Sequence, residues 1–146
     1  PMGVRLTAIW LRTLAKAAGV TEQHVGQIVA KKEAQTRGKL GVAYKRLQGQ
    51  KIGIIADLPH AVGLVSMLTE LGATVAFVAL RGNTFGTTET LHETLQQYGI
   101  TVPASSLMLA DPSLAKVCQE ITELAELQEL DGIIGSATEL NSIGLV

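Results

Sequence analysis

The chain has 146 residues, 47% hydrophobic and 17% charged, a balance that suits a folded chain with one core and excludes a disordered one. No apolar run approaches the roughly 20 residues of a membrane helix, and the opening PMGVRLTAIW lacks the regions of a signal peptide, so a cytoplasmic location without a membrane partner is expected. The net charge of −1 hides an asymmetry: residues 1–50 carry +7 and the remainder −8. Aromatic residues suited to base stacking are scarce, so the basic half reads as a solvated helical face and no nucleic-acid partner is expected.

Residues 1–49 read as an N-terminal helical segment. Leu6, Ile9, Trp10, Leu14 and Ala17 fall at helical spacing, with Thr7 as the expected N-cap and Gly19 as the stop. Trp10 is expected to enter a hydrophobic interface. Thr21 is placed to cap the next stretch, which carries Val25, Ile28, Val29, Leu40, Tyr44 and Leu47. That stretch is one long helix or two broken near Gly38 and Gly41, each glycine costing about 1 kcal/mol relative to alanine.

From residue 50 onward the pattern changes to alternating strand and helix. KIGIIAD predicts a first strand, and Ala61, Leu64, Val65, Leu68 and Leu71 a helix closed by Gly72. TVAFVAL is the second strand, TTETLHETLQQYG the second helix and SSLMLAD the third strand. Asp111 or Ser113 then caps a helix with Val117, Ile121, Leu124, Leu127 and Leu130 on its buried side. DGIIGS is the fourth strand, and TELNS begins an element that the chain does not finish, as if it were cut from something longer. Strands apolar on both faces, alternating with helices, predict a three-layer α/β/α domain over residues 50–146 with a small, Rossmann-like parallel sheet of about four strands.

Ligands of open parallel sheets bind beyond the carboxyl ends of the strands. The loops there contain Asp57 and His60, then Arg81 and Asn83, then Asp111-Pro112, then Gly135, Ser136 and Thr138. The first turn, ADLPHAVG, has no glycine at the turn to admit a pyrophosphate, and no G-x-x-x-x-G-K-[ST] loop occurs, so NAD and ATP are not expected. His60, beside Asp57 at a helix start, is suited to proton donation or metal ligation, with a surface imidazole in the first turn as the plainer reading. Arg81 is suited to an anion or is a plain surface charge. Gly135-Ser136-Ala137-Thr138 offers amides and hydroxyls to an anion, with simple N-capping as the plainer reading. His24 and His92 are expected on solvated helix faces. The single thiol, Cys118, cannot form a disulfide framework or a metal cage within the chain and reads as packed and inert. No catalytic constellation and no metal-ligand set is evident.

The order of motifs resembles the nitrogenase component 1 type oxidoreductase family. PMGVRLTAIWLRTLAKAAG is similar to the segment entering that family's middle domain. In GQKIGIIADLPHAVGLVSMLTELGATVAFVALRGN, the residues Gly49, Lys51, Gly63-Leu64, Glu70-Leu71-Gly72 and Asn83 fall where the family pattern places them. LDGIIGSATELNSIGLV resembles its last strand, turn and helix. The likeness covers nearly the whole chain and is greatest to beta-type members: the molybdenum-iron beta chain, cofactor-assembly scaffolds and dark-operative protochlorophyllide reductase subunits.

The resemblance implies an internal domain of a longer oxidoreductase subunit with a chelatase-like fold, inactive alone. It would help form an inter-domain cleft for an iron-sulfur or iron-molybdenum cluster, or for a tetrapyrrole. Asp57, His60, Arg81, Asn83, Gly135, Ser136 and Thr138 would face that cleft. Implied partners are the other domains of the parent chain, a homologous subunit and an ATP-dependent iron-sulfur reductase. A non-catalytic scaffold for iron-molybdenum cofactor assembly and a stand-alone small-molecule binder are the alternatives. Two departures bear on this: Cys118 lies mid-helix, where no cluster ligand is expected, and the first turn reads Asp57-Leu58-Pro59 where beta-type members often have Asp-Pro-Asp.

Overall fold

The computed structural model describes residues 2–81, 88–102, 107–110, 119, 122–123 and 130–135. Three helices come first: α1 (Gly3–Ala17), α2 (Glu22–Lys39) and α3 (Gly41–Leu47). Then follow β1 (Lys51–Ala56), α4 (Leu58–Glu70), β2 (Thr74–Leu80), α5 (Thr88–Gln97), β3 (Leu107–Ala110) and β4 (Gly132–Ile134). The basic stretch is thus two helices, parted at Leu40 between the two glycines expected to weaken it.

The sheet has four parallel strands in the order β3-β2-β1-β4. Ile54 stands opposite Val78 on one side and Ile134 on the other, so β1 is flanked on both edges. Successive side chains of a strand point to opposite faces. On one face Ile52, Ile54, Ala56, Val78 and Leu80 join α4 and α5 in the main core. On the other, Ile55, Phe77 and Ala79 pack with Leu130 and Ile133. The strands are apolar on both faces because helices cover both, as in three-layer α/β/α folds.

Direction fixes which layer each connection joins. The chain steps one way from β1 to β2 to β3, then returns across the sheet to β4 on the far side of β1. A right-handed crossover in the reverse direction lies on the opposite face. The described helical positions Gln119, Thr122 and Glu123 belong to that returning connection. The cap expected at Asp111 or Ser113 and the stripe from Val117 to Leu127 lie outside the described residues.

Helices α1, α4 and α5 share one stop signal. At α4, Gly72 has φ +79°, its amide donates to Thr69 O at 3.1 Å, and the Ala73 amide donates to Leu68 O at 3.0 Å. This is the Schellman arrangement, and glycine adopts its left-handed residue without a Cβ penalty. Gly19 and Gly99 end α1 and α5 with the same pair of bonds.

The start of α1 differs from expectation. Thr7 lies inside the helix, its hydroxyl donating to Gly3 O at 2.7 Å, and Met2 occupies the N-cap without a side-chain bond. The cap comes from another helix: the amides of Val4 and Arg5 donate to Glu70 of α4 at 2.8 and 3.0 Å. A carboxylate there satisfies two orphan donors and sits at the positive end of the helix dipole. The same Glu70 accepts from the hydroxyl of Ser66, a buried polar residue of the core, at 3.2 Å. Thr21 does occupy the N-cap of α2, again without a side-chain bond.

Helix α4 is consequently enclosed between the sheet and α1, which explains why Ala61, Val62, Gly63, Val65, Ser66 and Leu68 are all buried. Leu6 of α1 belongs to the main core, and Ile9 and Leu47 pack against it. Trp10, by contrast, is 48% exposed and joins no hydrophobic cluster among the described residues. It is one turn from Leu6, but of the expected apolar stripe only Leu6 and Ile9 join the main core.

Candidate functional site

The chain runs from β1 to β2 and β3 on one side and returns to β4 on the other side of β1, and this reversal of strand order places a topological switch point beside the carboxyl ends of β1 and β4. A cavity of about 300 Å³ occupies that position, lined by Ile55, Ala56, Asp57, His60, Leu64, Ile134 and Gly135. Its walls are mostly aliphatic, with one carboxylate and one imidazole as the polar side chains.

Asp57 is set there by β1 and serves as the N-cap of α4. Its Oδ1 accepts from the His60 amide at 3.0 Å, the usual bond from an N-cap side chain to the third helical residue. Pro59 in the first turn has no amide to leave unpaired. The same oxygen lies 2.6 Å from His60 Nδ1. The His60 amide, with further help from the ring nitrogen and against the effect of burial, holds the Asp57 carboxyl below its ordinary value of 3.8. An ionised carboxylate only accepts, so Nδ1 carries the proton and Nε2 is the nitrogen left for another group. Both side chains are reachable, 53% exposed for Asp57 and 63% for His60.

Asp57, His60 and Gly135 are therefore brought together. Arg81 is not among the residues lining the cavity: it follows β2 one strand away, its amide donating to Ala56 O at 2.9 Å. Asn83, Ser136 and Thr138 lie outside the described residues. His24 and His92 are exposed, as expected. Leu64 was expected in the buried stripe of α4; it is partly buried and lines the crevice one turn beyond His60. Its spacing of four from His60 was the available signal. Among the described residues, no three His, Cys, Asp or Glu side chains group to hold a metal ion.

The description "Nitrogenase component 1 type Oxidoreductase" matches residues 1–142. The chain belongs to that family. A match over this span includes the helices α1 to α3 as well as the sheet. A solved structure titled "Nitrogenase Cp1 at pH 6.5" is similar over 92% of this chain and 31% of its own, at 19% identity and a TM-score of 0.62. At that identity the likeness establishes the three-layer fold. The chain spans about a third of the solved chain it matches. No curated protein matches it. Among the described residues no helix is long and apolar enough to cross a membrane.

Proposed function

We propose that this nitrogenase component 1 type domain is an internal part of an oxidoreductase subunit and forms one wall of an inter-domain cleft. The observation that carries this is the crevice at the β1/β4 switch point, holding the Asp57–His60 pair over an aliphatic floor. The cleft's occupant is an iron-sulfur or iron-molybdenum cluster, or a tetrapyrrole. A cluster is held by several ligands, chiefly thiolates. The crevice offers one imidazole and one carboxylate already bonded to each other, which does not fit a complete ligand set, so the chain alone is inactive. Its own contribution is positional: Ile55, Leu64 and Ile134 exclude water, and His60 Nε2 presents one polar contact in an orientation fixed by Asp57. Arg81, Asn83, Ser136 and Thr138 stand beside this wall in the proposal as further polar contacts. The partners are the other domains of the parent chain, a homologous subunit and an ATP-dependent iron-sulfur reductase.

The test is to purify the parent protein without oxygen and measure iron, acid-labile sulfide and the visible spectrum, in the native form and with His60→Ala. A bound cluster or tetrapyrrole whose spectrum changes in His60→Ala is expected. A parent with neither overturns the oxidoreductase reading, and turnover by the 146-residue chain alone overturns its inactivity. Bound cofactor without substrate reduction favours the assembly scaffold.

A further inference from the structure

The crevice beside β1 and β4 has a polarity that narrows what it takes. Ile55, Ala56, Leu64, Ile134 and Gly135 give it no polar side chain. The other two described lining residues are a linked pair, with His60 Nδ1 lying 2.6 Å from Asp57 Oδ1. A carboxylate kept ionised by the His60 amide accepts and does not donate. The pair therefore selects one tautomer of the neutral imidazole, with Nδ1–H toward Asp57 and a lone pair on Nε2. The crevice thus presents an acceptor with a negative charge behind it, and no Lys or Arg among its described lining residues answers that charge. Its volume of about 300 Å³ stands at the lower end of the roughly 300–1,000 Å³ of small-molecule sites, whose walls are likewise mostly apolar with a few fixed polar groups.

Matching of donors to acceptors then separates the classes of occupant. A thiolate-held cluster is anionic and its sulfurs take hydrogen bonds as acceptors, so it meets Nε2 and Asp57 with the wrong sign. A carboxylate or phosphate fails for the same reason. Metal ligation by Nε2 needs further ligands, and among the described residues no three His, Cys, Asp or Glu side chains group together. An uncharged organic ring bearing a donor meets both demands: its apolar edge lies against Ile55, Leu64 and Ile134, and its donor reaches Nε2. We infer that the β1/β4 crevice takes the edge of an uncharged organic ring system, and that His60 Nε2 accepts a hydrogen bond from its N–H or O–H group. Asp57 is the positioning residue that holds the imidazole in its accepting form. The inference rests on the reading of the crevice as one wall of a cofactor cleft and names the class of occupant that this wall suits.

The 146-residue chain has three histidines, so nitrogen-15 labelling of histidine gives long-range proton–nitrogen spectra in which each ring's protonation and tautomer are read separately. His60 is assigned with His60→Phe. At a pH where the spectrum shows His60 neutral, its proton is expected on Nδ1. Four probes are then titrated: indole, 1-methylindole (the same rings without a donor), 1-naphthoate (an anionic ring) and zinc ion. Indole is expected to move the Nε2 resonance and to bind about tenfold more tightly than 1-methylindole, the size of one net hydrogen bond. No response to 1-naphthoate is expected. His60→Phe should bind indole and 1-methylindole equally. Asp57→Asn keeps a good N-cap and should release the tautomer and narrow the preference for indole. A proton on Nε2 in the neutral ring, equal binding of the two indoles, stronger binding of 1-naphthoate, or no response of His60 to any probe overturns the inference. Zinc taken at His60 in preference to His24 and His92 overturns it in favour of metal ligation. These readouts need neither iron nor the parent protein. A parent without cluster or tetrapyrrole would sink the oxidoreductase reading and leave the donor preference standing, whereas equal binding of the two indoles would sink the preference alone.

Discussion

Glu70 is the residue on which the attachment of the N-terminal helices turns, and its replacement has a size that follows from its bonds. Its carboxylate receives the Val4 amide at 2.8 Å, the Arg5 amide at 3.0 Å and the Ser66 hydroxyl at 3.2 Å. Glu70→Ala removes the only side-chain acceptor the described residues provide to the start of α1, a loss comparable to deleting an N-cap, about 1 kcal/mol. The two amides also lose a charged acceptor, and bonds to charged groups contribute about 1.5–3 kcal/mol each when desolvated and less when water can replace them. Ser66 has an escape, because a helical serine can turn to the carbonyl four residues back. About 2 kcal/mol is therefore expected, or roughly 6 °C in Tm for a chain of this size. Glu70→Gln keeps an oxygen acceptor and loses the charge at the helix terminus, so it should cost about 1 kcal/mol or less. Gly3→Ala should perturb the same seat, since a Cβ there would lie 2.9 Å from Glu70 Oε1 at a φ of +80°. Urea unfolding followed by Trp10 emission and by circular dichroism reads all three. Glu70→Ala within about 0.5 kcal/mol of the native chain, or Gln as damaging as Ala, would refute the tertiary cap.

Three further outcomes follow from single contacts. Gly53→Ala drives a Cβ into the fully buried ring of Phe77, so a loss of about 1–3 kcal/mol is expected, largely recovered when Phe77→Leu is added; denaturant midpoints of the single and double variants check this. Gly72→Ala, at φ +79° with a Cβ 3.2 Å from Tyr44 Cε2, should cost about 1 kcal/mol or more in the same assay. Asp57 has a folded pKa below its ordinary 3.8, so its contribution is complete above that value and is lost as pH falls through the lowered one. Asp57→Asn should therefore flatten the acid limb of stability against pH below about pH 4, whereas an unchanged acid limb would remove Asp57 from the linkage.

Much of the sheet was legible because the periodicities in β1, α4 and β2 are local and unambiguous. TVAFVAL is β2 residue for residue, and the glycines at 19 and 72 end their helices as expected. What was not legible depends on partners far along the chain. Thr7 has the chemistry of an N-cap and a plausible position, yet the acceptor is Glu70, 66 residues from Val4. Trp10 has helical spacing with Leu6 and Leu14, but the helices that α1 meets among the described residues, α2 and α4, leave Trp10 and Leu14 48% and 47% exposed.

The site shows the same division. The sequence places Asp57 and His60 three apart at a helix start, and that local spacing is sufficient to make the pair. Whether Gly135 joins them or Arg81 does depends on strand order, which no local pattern encodes: both follow predicted strands and both are near β1 in some arrangement of four strands. The return of the chain past β1 decides it, because β4 then borders β1 on the side away from β2. The crevice lies at that reversal of strand order; between β1 and β2, the Arg81 amide bonded to Ala56 O continues the ladder instead. The polar pair therefore borders a cavity on the β4 side, with Leu64 and Ile134 among its apolar walls.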